Sequence, residues 1–305
     1  MPATTEDLHP ASVGLQDLAD AEVLTRLLDG QIHAAEAVRA ALPAITEAAR
    51  VTARALRSGG RVVYAGAGSS GVMALSDSLE LAGTFGTPAG RSPALLAGGA
   101  ATLLHMANAA EDDETLAAAD CARIGFTPDD AVICVAASGR TPYTLAIARA
   151  ARAAGAPVIG VANAPGAPLL KECDVAIPLD TGPELVAGST RMGAATAQKI
   201  ALNMISTLAG IRMGHVHEGR MVNLTADNSK LRDRAARIVA DLSGADIEAA
   251  RALIDRTDGA VKPAILLAAG AVDPPHAAEL LDAAGGHLGP ALAALRANGR
   301  TRDLV

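Results

Sequence analysis

The residue types best suited to chemistry lie in two short turns. Ala136-Ala137-Ser138-Gly139-Arg140-Thr141-Pro142 closes the apolar run Ala131-Val132-Ile133-Cys134-Val135 and precedes a helical stretch from Tyr143 to Ala154. A strand, a tight Ser-Gly-Arg-Thr turn and a helix N-terminus present free backbone N–H groups, the positive helix end and two hydroxyls together. That is an anion site, and a phosphate fits it. A second turn, Gly66-Ala67-Gly68-Ser69-Ser70-Gly71, follows the strand pattern Arg61-Val62-Val63-Tyr64-Ala65. Two such turns in one domain point to a phosphorylated small molecule held at the carboxyl edge of a parallel sheet. Ser138, Gly139, Arg140 and Thr141 are the candidate phosphate ligands. Gly68, Ser69 and Ser70 suit phosphate or sugar hydroxyls.

The first turn also matches Gly-x-Gly-x-x-Gly literally. A dinucleotide site needs an acid at the tip of the second strand to hold the ribose, and here that strand pattern ends in Ala97-Gly98-Gly99. No nicotinamide cofactor is expected.

Two carboxylates stand out. Glu80 sits among Leu75, Leu79, Leu81 and Ala82, where an unpaired buried carboxylate would be costly and would imply a role. Glu111 opens the cluster Glu111-Asp112-Asp113-Glu114 after an apolar stretch, Ala101–Ala110, that reads as a helix. As a pattern this cluster also fits a solvated helix start. Two separately placed carboxylates can divide acid and base work. His215 and His217 alternate, but no third ligand has metal-binding spacing, so no metal is expected and His217 is a candidate proton donor. Glu184 and the block Gly188-Ser189-Thr190-Arg191 lead into a long apolar helix, Arg191 to Met213. Ser189 or Thr190 is expected to cap it. Arg191 in its first turn opposes the helix dipole and should meet an anion, either substrate or Glu184.

The elements that must position these residues follow an alternating pattern. Leu18–Arg57 reads as two helices broken at Pro43, and the runs Val62–Ala65, Ala94–Ala97, Val132–Ala136, Val158–Val161 and Val175–Leu179 alternate with helical stretches. This predicts an α/β fold, a doubly wound parallel sheet flanked by N-terminal helices and a small C-terminal helical appendage. The expected divisions are N-terminal helices over 1–58, the sheet domain over 59–225 and a helical region over 226–305. Four short helices are expected in the last part: Asp246–Asp255, Gly259–Ala269, Pro274–Ala284 and Leu288–Ala297.

Composition narrows the partners. Half of the 305 residues are hydrophobic but only 1% are aromatic, so the core must be aliphatic and closely packed. A net charge of −7 disfavours nucleic acid and anionic membrane surfaces. Cys121, Cys134 and Cys173 are widely spaced and read as reduced thiols of a cytoplasmic protein. The N-terminal stretch reads as neither a signal nor a transit peptide, and no apolar run reaches membrane-spanning length uninterrupted.

Several blocks together resemble the N-acetylmuramic acid 6-phosphate etherases of the sugar isomerase (SIS) domain superfamily. They are Gly66–Gly71, Thr84-Phe85-Gly86, Ala110-Glu111-Asp112, Ser138–Tyr143, Gly182-Pro183-Glu184, Gly188–Arg191, Thr196-Ala197-Gln198-Lys199 and Leu202–Thr207. The resemblance implies the SIS fold and a cofactor-free carbon–oxygen lyase acting on an N-acetylated amino-sugar 6-phosphate in a homodimer with sites near the subunit interface. Such enzymes abstract the proton at C2 of the opened sugar, expel the C3 substituent and add water. The resemblance places the leaving-group acid on Glu80 and the base on Glu111. Glu184 and Arg191 are then expected to orient the open-chain sugar, with Ser189 also binding substrate.

The chain departs from the family pattern at particular positions. Val72 and Gly193 stand where Arg and Lys are usual, Leu81-Ala82-Gly83 replaces Cys-Pro-Pro, and Asn108, Asn223 and His217 replace Glu, Asp and Tyr. A lactyl ether carries a second carboxylate that wants a cation or several donors. The two lost cations therefore favour dehydration of N-acetylglucosamine 6-phosphate, with the etherase reaction and a non-catalytic sugar-phosphate sensor as alternatives.

Overall fold

The structure is a computed structural model and describes residues 5–105, 108–224, 226 and 229–297, leaving out the side chain of Asn108. Two helices open it, α1 (Asp20–Ala37) and α2 (Leu42–Arg57), joined by a 3-10 turn at Val38–Ala41, with Pro43 in the first turn of α2 where its missing N–H costs nothing. The alternating part follows as β1 (Val62–Gly66), α3 (Gly68–Phe85), β2 (Ala94–Leu96), α4 (Glu114–Ile124), β3 (Ala131–Val135), α5 (Pro142–Ala153), β4 (Val158–Ala162), α6 (Pro168–Lys171) and β5 (Val175–Pro178). The long α7 (Gly193–Arg212) comes next. A short hairpin, β6 (Val216–His217) with β7 (Arg220–Met221), leads to α8 (Ser229–Ser243), α9 (Ile247–Arg256), α10 (Val261–Ala268), α11 (Pro274–Ala283) and α12 (Leu288–Ala297).

The main sheet runs β2-β1-β3-β4-β5 with every pair parallel. All residues of β1, β3 and β4 are buried, as strands covered on both faces must be. Helix α2 packs across β1, β3 and β5, while α5 packs across β1, β3 and β4. The helix expected over Ala101–Ala110 does not form as one element. Two 3-10 segments, Gly99–Leu103 and Asn108–Asp112, stand at its ends, and Gly98 and Gly99 at its start hold positive φ, outside the helical region. The hairpin and α8 lie outside the elements expected from the sequence.

The chain divides into two compact units, one of residues 1–79 and 90–208, the other of residues 80–89 and 209–305. The first holds the parallel sheet. The second is helical around its own core, including Val222, Leu224, Ile254, Ile265, Leu266 and Leu295. Buried Lys262 there donates from Nζ to the carbonyls of Gly286, at 2.9 Å, and Gly214, at 3.4 Å, closing two turns that follow helix ends. Asn223 Nδ2 donates to Phe85 O at 2.8 Å, a bond the aspartate usual in the resembled family could not make. His217 is half-buried, and Gly289 at the start of α12 leaves room for its ring, since a Cβ there would lie 3.3 Å from His217 Cε1. Among the described residues no helix is long and apolar enough to cross a membrane.

Candidate active site

The site is built at the carboxyl ends of β1 and β3. After β1 the chain turns through Gly66-Ala67-Gly68 into α3. A Cβ on Gly66 would lie 2.9 Å from Gly71 Cα, and one on Gly71 would lie 2.5 Å from Leu96 Cδ1. These glycines allow the turn to close onto the sheet. Gly68 has φ +53°, and a Cβ there would stand 2.8 Å from Glu111 Oε1. The Glu111 carboxylate is therefore set directly against the first turn of α3, where Ser69 and Ser70 also lie. Burial, with the charge of Asp112 added, raises the Glu111 pKa above the ordinary carboxylate value. This answers the ambiguity of the acidic cluster. Asp112 and Asp113 are exposed and Asp113 caps α4, whereas Glu111 is half-buried and turned to the sheet edge.

After β3 the Ser-Gly-Arg-Thr turn leads into α5. Gly139 has φ +61° and a Cβ on it would lie 2.5 Å from Ala167 Cβ, so only glycine fits. The Gly139 N–H is spent on Ala136 O and the Arg140 N–H on Ser138 Oγ at 3.2 Å. These two amides are thus not offered to an anion. Among the described residues, the N–H groups of Ser138, Thr141, Tyr143 and Thr144 have no protein acceptor. Thr141 is the N-cap of α5, yet its hydroxyl makes no cap bond and stays available. The turn thus leaves four N–H donors and the positive end of α5 without a protein acceptor, and the Arg140 side chain is exposed.

The approach to α7 differs from expectation. Neither Ser189 nor Thr190 supplies the cap. The buried Glu184 does, its Oε2 accepting from Gly193 N at 3.0 Å and its Oε1 from Ala194 N at 2.8 Å. A carboxylate at a helix start suits the dipole better than a hydroxyl. Glu184 forms no ion pair with Arg191, which is exposed, and Ser189 is half-buried in the turn before the helix. A Cβ on Gly193 would lie 3.1 Å from Glu184 Oε2 and 3.4 Å from Ala34 Cβ. A lysine at this position would therefore start beside Glu184, into a cavity of about 250 Å³ that Asp29, Gln31, His33 and Glu184 help to line.

Glu80 is corrected in one respect. It is exposed in the fourth turn of α3, with its neighbour Leu79 68% exposed, so it is not a buried carboxylate within this chain. Glu80 and His217 belong to the second unit, while Glu111, both glycine turns, Glu184, Ser189 and Arg191 belong to the first.

Two buried polar clusters escaped sequence reading. Asp77 accepts from Tyr64 Oη at 2.7 Å, from Asn203 Nδ2 at 2.6 Å and from Ser206 Oγ at 3.0 Å, tying α3 to β1 and α7. The Gln198 side chain donates to Ser70 Oγ and to Asn163 Oδ1. The available signal was a polar residue inside an otherwise apolar helix, at Gln198 and Asn203. Among the described residues no group of three His, Cys, Asp or Glu is placed to hold a metal ion, and all three cysteines are free thiols.

Comparison with known proteins bears on this geometry. A family model described as SIS domain matches residues 32–163. An N-acetylmuramic acid 6-phosphate etherase from Deinococcus radiodurans is 44% identical over 286 residues, covering 94% of this chain and 94% of that protein. The protein of the same name from Serratia proteamaculans is 41% identical over 288 residues, covering 94% of this chain and 97% of that one. The structure of a phosphoheptose isomerase from Francisella tularensis aligns at a TM-score of 0.49 and 21% identity, over 64% of this chain and 100% of that one.

Proposed function

This chain belongs to the N-acetylmuramic acid 6-phosphate etherase family of SIS-domain proteins, and on that premise we propose that it cleaves the lactyl ether of N-acetylmuramic acid 6-phosphate. The observation that carries the proposal is the Glu111 carboxylate, raised in pKa and set against the first turn of α3, which follows the strand next to β3. In the proposed reaction the turn Ser138–Thr141 holds the 6-phosphate of the opened sugar. Glu111 takes the C2 proton, the C3–O bond breaks, and lactate leaves with a proton from Glu80, with His217 the second candidate donor. Water then adds at C3, its proton passing to the group that protonated lactate, and Glu111 returns its proton to C2. A carboxylate whose pKa is raised is a stronger base, which suits this step.

Dehydration of N-acetylglucosamine 6-phosphate, favoured on the missing cations, gives way to the etherase reading. Relatives at 41–44% identity carry the etherase name. The absent lysine also loses its force, because a side chain at position 193 starts against Glu184 and Ala34. Such a lysine would start as a neighbour of Glu184. Val72 remains the one cation loss without a structural explanation.

A homodimer goes with this reading. Leu24, Leu28 and Ile32 are 64%, 60% and 53% exposed at helical spacing along α1, an apolar stripe suited to a second copy. Leu28→Glu should shift the sedimenting mass from dimer to monomer, and a wild-type protein that sediments as a monomer contradicts this part of the proposal. The reaction itself is tested by Glu111→Gln. It should keep sugar-phosphate affinity within about threefold and lower lactate release about 10²–10⁴-fold. Unchanged release would remove Glu111 as the base.

A further inference from the structure

The amides buried behind the two turns form a hydrogen-bond chain of fixed polarity, and we propose that Gln198 is a positioning residue that sets the Ser70 hydroxyl as a donor to the sugar phosphate. The inference rests on the assignment of Ser70 to the substrate. The chain begins at Ala194 O, which can only accept. Asn163 Nδ2 donates to it at 3.4 Å and to Thr181 Oγ1 at 3.3 Å. This fixes which end of the Asn163 amide faces α7, and so turns Oδ1 toward Gln198. Asn163 Oδ1 accepts from Gln198 Nε2 at 2.8 Å. The amide of Gln198 is thereby fixed in turn, and its Nε2 also donates to Ser70 Oγ at 3.0 Å. A hydroxyl that already receives an N–H keeps its own proton for another acceptor. Among the described residues that proton has no protein acceptor.

The unpartnered Oε1 of Gln198 supports the same polarity. Gln198 is fully buried, and a buried acceptor without a donor carries a free-energy cost. Flipping the amide would not relieve it, because Oε1 would then meet Asn163 Oδ1, acceptor against acceptor. The orientation that leaves Oε1 alone is the one that gives Ser70 a donor and frees its proton. Ser70 is in the first turn of α3, two residues from Gly68 and its Glu111 neighbour, so its proton is offered at the carboxyl edge of the sheet.

A double-mutant cycle read by calorimetric binding of N-acetylglucosamine 6-phosphate tests this. It needs no turnover, so absence of lactate release would count against the etherase reading without touching the cycle. Ser70→Ala should weaken binding about tenfold. Gln198→Met should weaken it about five- to tenfold in the wild type and less than twofold in the Ser70→Ala background. If Gln198→Met does not fold, the uncharged Gln198→Leu takes its place with the same expectation. An equal loss in both backgrounds would overturn the proposal and leave Gln198 a tie between helices. A silent Ser70→Ala would overturn it at its premise.

Discussion

Glu111 shows how one residue acquires a role that its sequence neighbours do not share. The cluster Glu111-Asp112-Asp113-Glu114 is uniform in charge, but the backbone turns only Glu111 toward Gly68 and the sheet edge, where burial raises its pKa. The consequence for pH follows from the sign of that shift. The base must be ionised, so activity falls as pH drops through the Glu111 pKa, and the acid limb of kcat/KM should lie above the ordinary carboxylate value of about 4.3. Glu111→Gln should remove that limb from whatever activity remains. A limb at or below the ordinary value, or one that persists in the variant, would separate Glu111 from the proton transfer. The role of Glu111 was only half legible in the sequence. A charge run states composition, and which carboxylate turns inward depends on the 3-10 segment that carries it.

At the scale of elements, the strands and the two glycine turns were legible because their signals are local. A fully apolar strand, a positive-φ glycine and a helix start lie within a few residues of each other. The cap of α7 was not legible, because Glu184 reaches Gly193 and Ala194 across a loop and no pattern joins them. The Gln198 and Asp77 clusters were hidden for the same reason, since they join residues far apart in the chain. The cap carries a prediction. Glu184→Ala leaves two first-turn N–H groups without their acceptor and should cost about 1–2 kcal/mol, with Glu184→Gln costing less. Thermal unfolding measures both. An unchanged midpoint for Glu184→Ala would mean that water replaces the carboxylate at no cost.

For the whole molecule, the chain combines a sheet unit that holds the anion turns and Glu111 with a helical unit that has its own core and a buried lysine. Burial lowers the Lys262 pKa to about 8. Between that value and the usual lysine value of about 10.4, the unfolded chain binds a proton that the folded one does not, so stability should rise with pH across that window. Denaturant titrations at pH 8 and pH 10 should show the rise in the wild type and a smaller one in Lys262→Met. Equal slopes would mean that Lys262 is solvated in solution. The central claim concerns the reaction, and proton NMR of two parallel tubes in deuterated water tests it most directly. One tube holds the protein with N-acetylmuramic acid 6-phosphate, the other with N-acetylglucosamine 6-phosphate. Free lactate is expected in the first and no vinylic signals in the second. Vinylic signals in the second tube with no lactate in the first would contradict it and return the chain to a dehydratase.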